Sequence, residues 1–174
     1  MLFSFSRLPS SALSFLSAVV FVTGCSEGGG PNPNDGTYTA SIVWTEYGVP
    51  HISADDYGSL GYGTGYAYAR ENFCTTMREY VVSAGDTSRY FGDDGDLDSD
   101  LVMKLYNSDA RVTRMLEEDI PPYIVDNLTG YAAGVNRDLN ETGVDNLAEG
   151  EEGCRGEPWV REIDVMDVVR LIHR

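Results

Sequence analysis

Two histidines, three cysteines and one dense run of aspartates are the residues of this 174-residue chain whose types point first to chemistry. His51 lies between Pro50 and Ile52, and His173 stands beside the last residue. A histidine that activates a Ser or Cys must sit next to that nucleophile, and no G-x-S-x-G elbow is present to expose a serine. His51 is therefore expected to be a structural histidine on an apolar extended segment rather than a general base. Zinc needs clustered ligands. No pair of histidines has metal spacing, and neither Cys74 nor Cys154 has a cysteine nearby, so no metal ligand is assigned. Asp94, Asp96, Asp98 and Asp100 alternate as in a calcium loop. An EF-hand starting at Asp94 would need Gly and Glu where Ser99 and Leu105 stand, so the run reads as a solvated loop feeding a helix N-terminus. The glycine run Leu60–Ala67 (LGYGTGYA) lacks the lysine of a phosphate loop. Gly61, Gly65 and Ala69 instead recur every four residues, a bare stripe on which another backbone can approach. Catalytic residues within the chain: none.

The elements that would position these groups begin with a leader. Arg7 is the only charge in residues 1–25, and an apolar run from Ala12 to Val22 follows it. That run is short for a membrane span, which takes about 20 residues, and suits a signal peptide. Val22-Thr23-Gly24-Cys25 then resembles a bacterial lipobox, in which Cys25 becomes the lipid-carrying N-terminus; an ordinary secretory signal with an incidental cysteine is the alternative. Ser26 after the cysteine points to the outer membrane. Residues 26–36 (SEGGGPNPNDG) read as a flexible tether spanning about 18 Å root-mean-square. With Cys25 lipidated, Cys74 and Cys154 remain as an even pair in an oxidising compartment, which favours a disulfide over two buried thiols.

Composition sets the outer bounds. Twelve Lys and Arg against 28 Asp and Glu give a formal charge of −16, and removal of the leader with Arg7 leaves 11 against 28, or −17. Nucleic-acid binding needs clustered cations, so it is excluded as a function. With 42% hydrophobic and 11% aromatic residues, the chain has the means to build a core.

Residues 37–174 read as mainly helical with a β-hairpin in front. Tyr38–Thr45 alternates Ala40, Ile42 and Trp44 with Ser41, Val43 and Thr45, Glu46-Tyr47-Gly48 turns the chain, and Val49–Ile52 begins a second strand. Asp55 or Asp56 caps a helix running through Glu79, with Tyr66, Phe73, Met77 and Tyr80 on its apolar side. A second helical stripe joins Leu101, Leu105, Val112, Met115 and Leu116, irregular around Asn107-Ser108. Pro121-Pro122 opens a third, with Ile124, Leu128, Tyr131, Val135 and Leu139 on one face. A Gly- and Glu-rich loop spans 143–156. The last helix starts near Asp164, with Met166, Val169 and Ile172 on one side, and reaches Arg174 without a stop signal, as if cut within an element.

Three segments carry a resemblance. Thr45–Ile52 (TEYGVPHI), Leu60–Ala67 and Ala69–Cys74 (ARENFC) resemble the start of the penicillin acylase family, in the branch of aculeacin A acylases and acyl-homoserine lactone acylases. Tyr131–Asn136 (YAAGVN) and Cys154–Trp159 (CRGEPW) extend the likeness, whereas Trp44-Thr45 stands where many relatives carry Arg-Asp. These are N-terminal nucleophile hydrolases, α+β proteins of αββα sandwich fold. The resemblance implies a longer precursor that cuts itself into an α chain and a β chain. Its nucleophilic Ser, first residue of the β chain, would lie beyond residue 174, with the β chain as partner and a small acylated amide as substrate. It also implies calcium as a possible ion of the full protein, none being assigned to this chain, and agrees with a Cys74–Cys154 bridge. A non-enzymatic helical lipoprotein, acting as scaffold or binding module, is the alternative. Exposure to the periplasm, with outer-membrane lipid held through Cys25, is the expected location.

Overall fold

The computed structural model describes residues 37–147 and 152–174. Strand β1 (Ala40–Trp44) pairs antiparallel with β2 (Pro50–Ala54), placing Ala40 opposite Ala54, Ile42 opposite Ile52 and Trp44 opposite Pro50. Period-two alternation decides the faces: Ala40 and Ile42 are buried, while Ser41 and Val43 are exposed. The connecting turn closes with Gly48 N–H donating to the Thr45 carbonyl, and Gly48 holds φ 75°, which a side chain would disfavour. Two strands alone are marginal in water, so this hairpin depends on the helix beneath it. Gly63 provides the seat. A Cβ there would stand 2.7 Å from the Ala40 Cβ and 2.8 Å from Ile52 Cγ2.

Helix α1 (Tyr57–Ala84) starts where Asp56 accepts a hydrogen bond from the Ser59 amide at 2.7 Å. It runs five residues past Glu79 and stops at Gly85 in the left-handed conformation, whose amide reaches back to the Val81 and Val82 carbonyls. Its backbone leaves helical geometry at Asn72 (φ −142°, ψ 28°), an interruption that the apolar periodicity does not register. Short α2 (Thr87–Tyr90) leads to α3 (Leu97–Tyr106), α4 (Asp109–Arg114) and a wide π-type turn at Met115–Asp119. Helix α5 (Pro122–Thr142) and α6 (Val165–His173) complete the set.

Helices α1 and α5 form the spine. Gly58 faces Gly130, Tyr62 faces Gly134 and Arg70 faces Asp138, so the two run side by side in the same direction. A Cβ on Gly61 would lie 1.9 Å from the Asn127 carbonyl oxygen, and one on Gly65 would lie 2.1 Å from that of Tyr131. The approach is reciprocal. Gly130 and Gly134 of α5 leave only 1.9 and 2.0 Å to the Gly58 and Tyr62 oxygens. The bare stripe expected on α1 therefore serves close backbone packing, and α5 carries a matching pair.

Beyond the seam, Phe73, Met77, Tyr80, Val135, Leu139, Trp159, Ile163 and Val168 form the main core. Trp159 meets Phe91 edge-on at 5.7 Å between centroids. Asp164 caps α6 in a reciprocal capping box with Asp167.

Two expected apolar stripes are corrected. The Leu101–Glu118 pattern is not one buried helix, because the chain breaks at Asn107, whose side-chain amide donates to the carbonyls of Ser83 and Arg170. Leu101 and Leu105 are 60% and 81% exposed, and only Val112 of that stripe is fully buried. On α6, Val168 and Val169 point inward while Ile172 faces out.

Candidate functional site

The chemistry-bearing groups that the fold brings together are not those singled out by residue type. Tyr66 and Arg70, one turn apart on α1, face Asp138 and Glu141 on α5. The Tyr66 hydroxyl donates to Glu141 Oε2 at 2.8 Å and accepts from Arg70 Nη1 at 2.8 Å. Arg137 holds the other Glu141 oxygen at 2.6 Å. Asp138 is 4% exposed, and its nearest cation is that same Arg70 Nη1, 4.0 Å away. An open cleft of about 240 Å³ lies at this point, walled by Ala69, Arg70, Phe73, Asp138, Thr142, Asn146 and Leu147.

Physical setting separates the two carboxylates. Burial would raise Glu141, but hydrogen bonds from Tyr66 and Arg137 outweigh it and hold the group below its ordinary range. Burial of Asp138 dominates instead, only partly offset by Arg70 and reinforced by the Glu141 charge, and pushes it up to about 6. Burial and the bond to Glu141 also raise the Tyr66 phenol.

Sequence signals for this cluster exist. Asp138 falls seven residues after Tyr131 and three after Val135, on the apolar stripe of α5, where a carboxylate must be buried. Arg70 follows Tyr66 by one helical turn. Each alone has the pattern of an ordinary helix-face charge.

The residues named from sequence have varied fates. Cys25, the leader and the tether lie outside the described residues. Cys74 on α1 and Cys154 are joined as a disulfide with Cα atoms 5.6 Å apart, fastening the loop after α5 to the spine. Arg155 steadies the same loop by donating to the Leu147 carbonyl. His51 is exposed on the outer face of the hairpin, opposite Val43, and not a packed structural histidine; the strand register turns it away from α1. His173 stacks on Tyr106 with centroids 4.5 Å apart and contacts Asn107 Oδ1 at 2.8 Å.

The aspartate run is corrected in one member. Asp96 caps α3 as expected of an acid at a helix start. Asp100 is 5% exposed, not solvated, and accepts from the Thr87 amide, the Thr87 hydroxyl and the Ser88 amide at 2.7–2.9 Å. Burial would raise it, yet those donors hold it below the ordinary carboxylate value. Among the described residues, no group of three or more His, Cys, Asp or Glu could hold a metal ion.

A seam of glycines beneath a hairpin and a Cys74–Cys154 bridge mark this helical body. The family model for penicillin amidase matches residues 39–172. This chain belongs to the penicillin amidase family. It is 36% identical to aculeacin-A acylase of Actinoplanes utahensis over 96% of its length, and that alignment covers 22% of the relative. It is 42% identical to acyl-homoserine lactone acylase PvdQ of Pseudomonas putida over 83% of its length, covering 19% of that protein. The chain thus spans about a fifth of the length of the curated relatives it matches. Its fold is that of thermostable penicillin G acylase from Alcaligenes faecalis, with TM-score 0.64, 23% identity, and coverage of 76% of this chain and 69% of that one. The mainly helical body with its antiparallel hairpin, expected from the sequence, is what the structure contains.

Proposed function

We propose that this chain is the N-terminal part of a self-processing amidohydrolase precursor that releases acyl groups from amides. The observation that carries the reading is the family match across residues 39–172, combined with relatives roughly five times longer than the matched segment. Membership of this family favours the enzyme over a free-standing scaffold lipoprotein. One feature of the fold supports it: the outer face of α3 leaves Leu97, Leu101, Val102 and Leu105 uncovered, a surface suited to a second chain.

In this reading the nucleophile is a Ser downstream of Arg174, exposed as the first residue of a β chain by self-cleavage. Its own α-amine, which titrates near pH 8, takes the hydroxyl proton through a water. The Ser oxygen attacks the acyl carbonyl, the amine leaves with a proton, and water then hydrolyses the acyl-ester to free acid and serine. Residues 37–174 act as the helical frame for that centre. Substrate classes follow the relatives: acyl-homoserine lactones, lipopeptides or β-lactams. Calcium is a possible ion of the full protein, and it would need ligands beyond the described residues, among which no three His, Cys, Asp or Glu gather. A lipid on Cys25 and the tether 26–36 would hold the enzyme at the periplasmic side of the outer membrane. No described helix is long and apolar enough to cross a membrane.

The test is expression of the complete reading frame containing residues 1–174. Two chains on a denaturing gel, replaced by one uncut chain when the junction Ser is changed, are the expected result. Fatty-acid release from acyl-homoserine lactones should be compared with side-chain release from penicillins. A reading frame without a β-chain region, or an uncut product without acyl release, overturns the proposal. Cys25→Ala should abolish lipid labelling.

A further inference from the structure

Asp138 and the Tyr66–Glu141 pair compete for one arginine. Arg70 Nη1 is within hydrogen-bond distance of the Tyr66 hydroxyl, at 2.8 Å, and only within ion-pair distance of Asp138, at 4.0 Å. Asp138 is nonetheless the more deeply buried carboxylate, and Glu141 already has both Tyr66 and Arg137. An ionised carboxylate at the wall of a cleft, with its cation engaged elsewhere, is poorly compensated. A neutral one needs no cation. We propose that Arg70 is a proton-operated switch between the α1 and α5 helices: with Asp138 protonated it holds the Tyr66–Glu141 pair, and with Asp138 ionised it swings toward Asp138 and loosens that pair.

The location gives the switch consequences. Arg70 lies two residues before the Asn72 interruption of α1 and four before the bridged Cys74. Asp138 precedes by four residues the C-terminus of α5, and Thr142, Asn146 and Leu147 line the same cleft. A movement of Arg70, itself part of the lining, therefore changes the shape and charge of the cleft. The charged groups that act on Asp138 are Arg70 from α1 and Glu141 from α5, the latter itself held by Tyr66 and Arg137. The loop contributes the uncharged Asn146 and Leu147 to the cleft, with Asp145 directed toward Gly156.

The direction follows from linkage. Asp138 titrates at about 6 in the fold against an ordinary 3.8, so the folded state binds this proton more tightly. Its stabilising contribution is complete below about pH 4 and is lost as pH rises through about 6.

The experiment uses the complete protein and does not depend on its being an acylase. Thermal midpoints are measured from pH 4.5 to 8 for the native sequence, Asp138→Asn and Tyr66→Phe. The isosteric Asn mimics the neutral acid, so the midpoint of Asp138→Asn minus that of the native protein should be smallest at pH 4.5. It should rise through a transition near pH 6 by roughly 1–3 °C. Tyr66→Phe removes the competing acceptor and frees Arg70 for Asp138, so the transition, read against Tyr66→Phe/Asp138→Asn, should move to lower pH. A difference flat with pH shows that Asp138 does not titrate in this window and overturns the proposal. A transition that stays near pH 6 without the Tyr66 hydroxyl overturns the sharing of Arg70. If Asp138→Asn fails to fold, Arg70→Gln provides the second reading: the native transition must shift upward in pH, and an unmoved one refutes the switch.

Discussion

The α1–α5 seam and the α2–α4 arm are held by opposite means. In the seam, Gly61, Gly65, Gly130 and Gly134 bring backbone against backbone, and apolar side chains close over the join. In the arm, the apolar side chains of α3 point to solvent while polar side chains make the attachments. Asp100 receives the amides of Thr87 and Ser88, Asn107 reaches Ser83 and Arg170, and Lys104 meets Asp86 at 2.8 Å. Arg170 returns the contact by bridging Asp109 and Asp167. The glycine stretch of the seam is fixed by shape, and titration enters it at the far end, where Asp138 of α5 meets Arg70 of α1. The arm depends on a few hydrogen bonds to charged groups, and its apolar face stays free for another surface.

Breaking the seam should have the largest effect. In Gly134→Ala the new methyl meets the Tyr62 carbonyl oxygen at 2.0 Å, and backbone cannot move aside as a side-chain tip can. A loss of about 3 kcal/mol or more is expected, seen as low soluble yield and a depressed thermal midpoint. Native-like stability in this variant would mean that the helices are not in backbone contact. Next comes the fastening of the loop. Replacing Cys74 and Cys154 together by Ser, across a separation of 80 residues, should cost about 2–4 kcal/mol in denaturant midpoint. A mass for the native protein without the two-hydrogen loss would contradict the bridge.

The arm supplies the sharper half of the contrast. Asp100→Ala leaves the Thr87 and Ser88 donors without their buried acceptor and should cost about 2 kcal/mol. Its depressed value means that the Asp100 contribution is present above its ordinary 3.8 and lost as pH falls through the lower folded value. Acid titration of the native protein against this variant should therefore converge below pH 4. The smallest effect on the fold belongs to Leu101→Ser with Leu105→Ser, within about 0.5 kcal/mol because both side chains are already solvated. Hydrogen exchange of the α1 amides should be unchanged. If the chain is processed from a precursor as proposed, co-purification with the second chain should fall, and an unaffected assembly would remove α3 from that proposed contact.

Legibility from sequence tracked the locality of the signal. The hairpin faces, an aspartate cap at Asp55 or Asp56, the start of α6 near Asp164 and the apolar stripe of α5 are periodicities or short-range signals, and each is present, with Asp56 as the capping residue. Gly61, Gly65 and Ala69 announced a close approach because spacing alone puts them on one face. What approached could not be read, since Gly130 and Gly134 matter only once α5 is laid against α1. The Leu101–Leu105 stripe misled for a related reason: helical spacing shows that residues share a face, and leaves open which face is covered. Asn107 looked like a flaw in a helix because its two carbonyl partners lie 24 residues before it and 63 after it.

The sequence by itself determined the helical body with its leading hairpin and the family, because period and short motifs are properties of neighbouring residues. Tertiary structure alone decided that Arg70 stands between Tyr66 and Asp138, that Asp100 is buried among amides and that α3 turns its leucines outward. Those facts depend on distances between residues far apart in the chain, which no local pattern encodes.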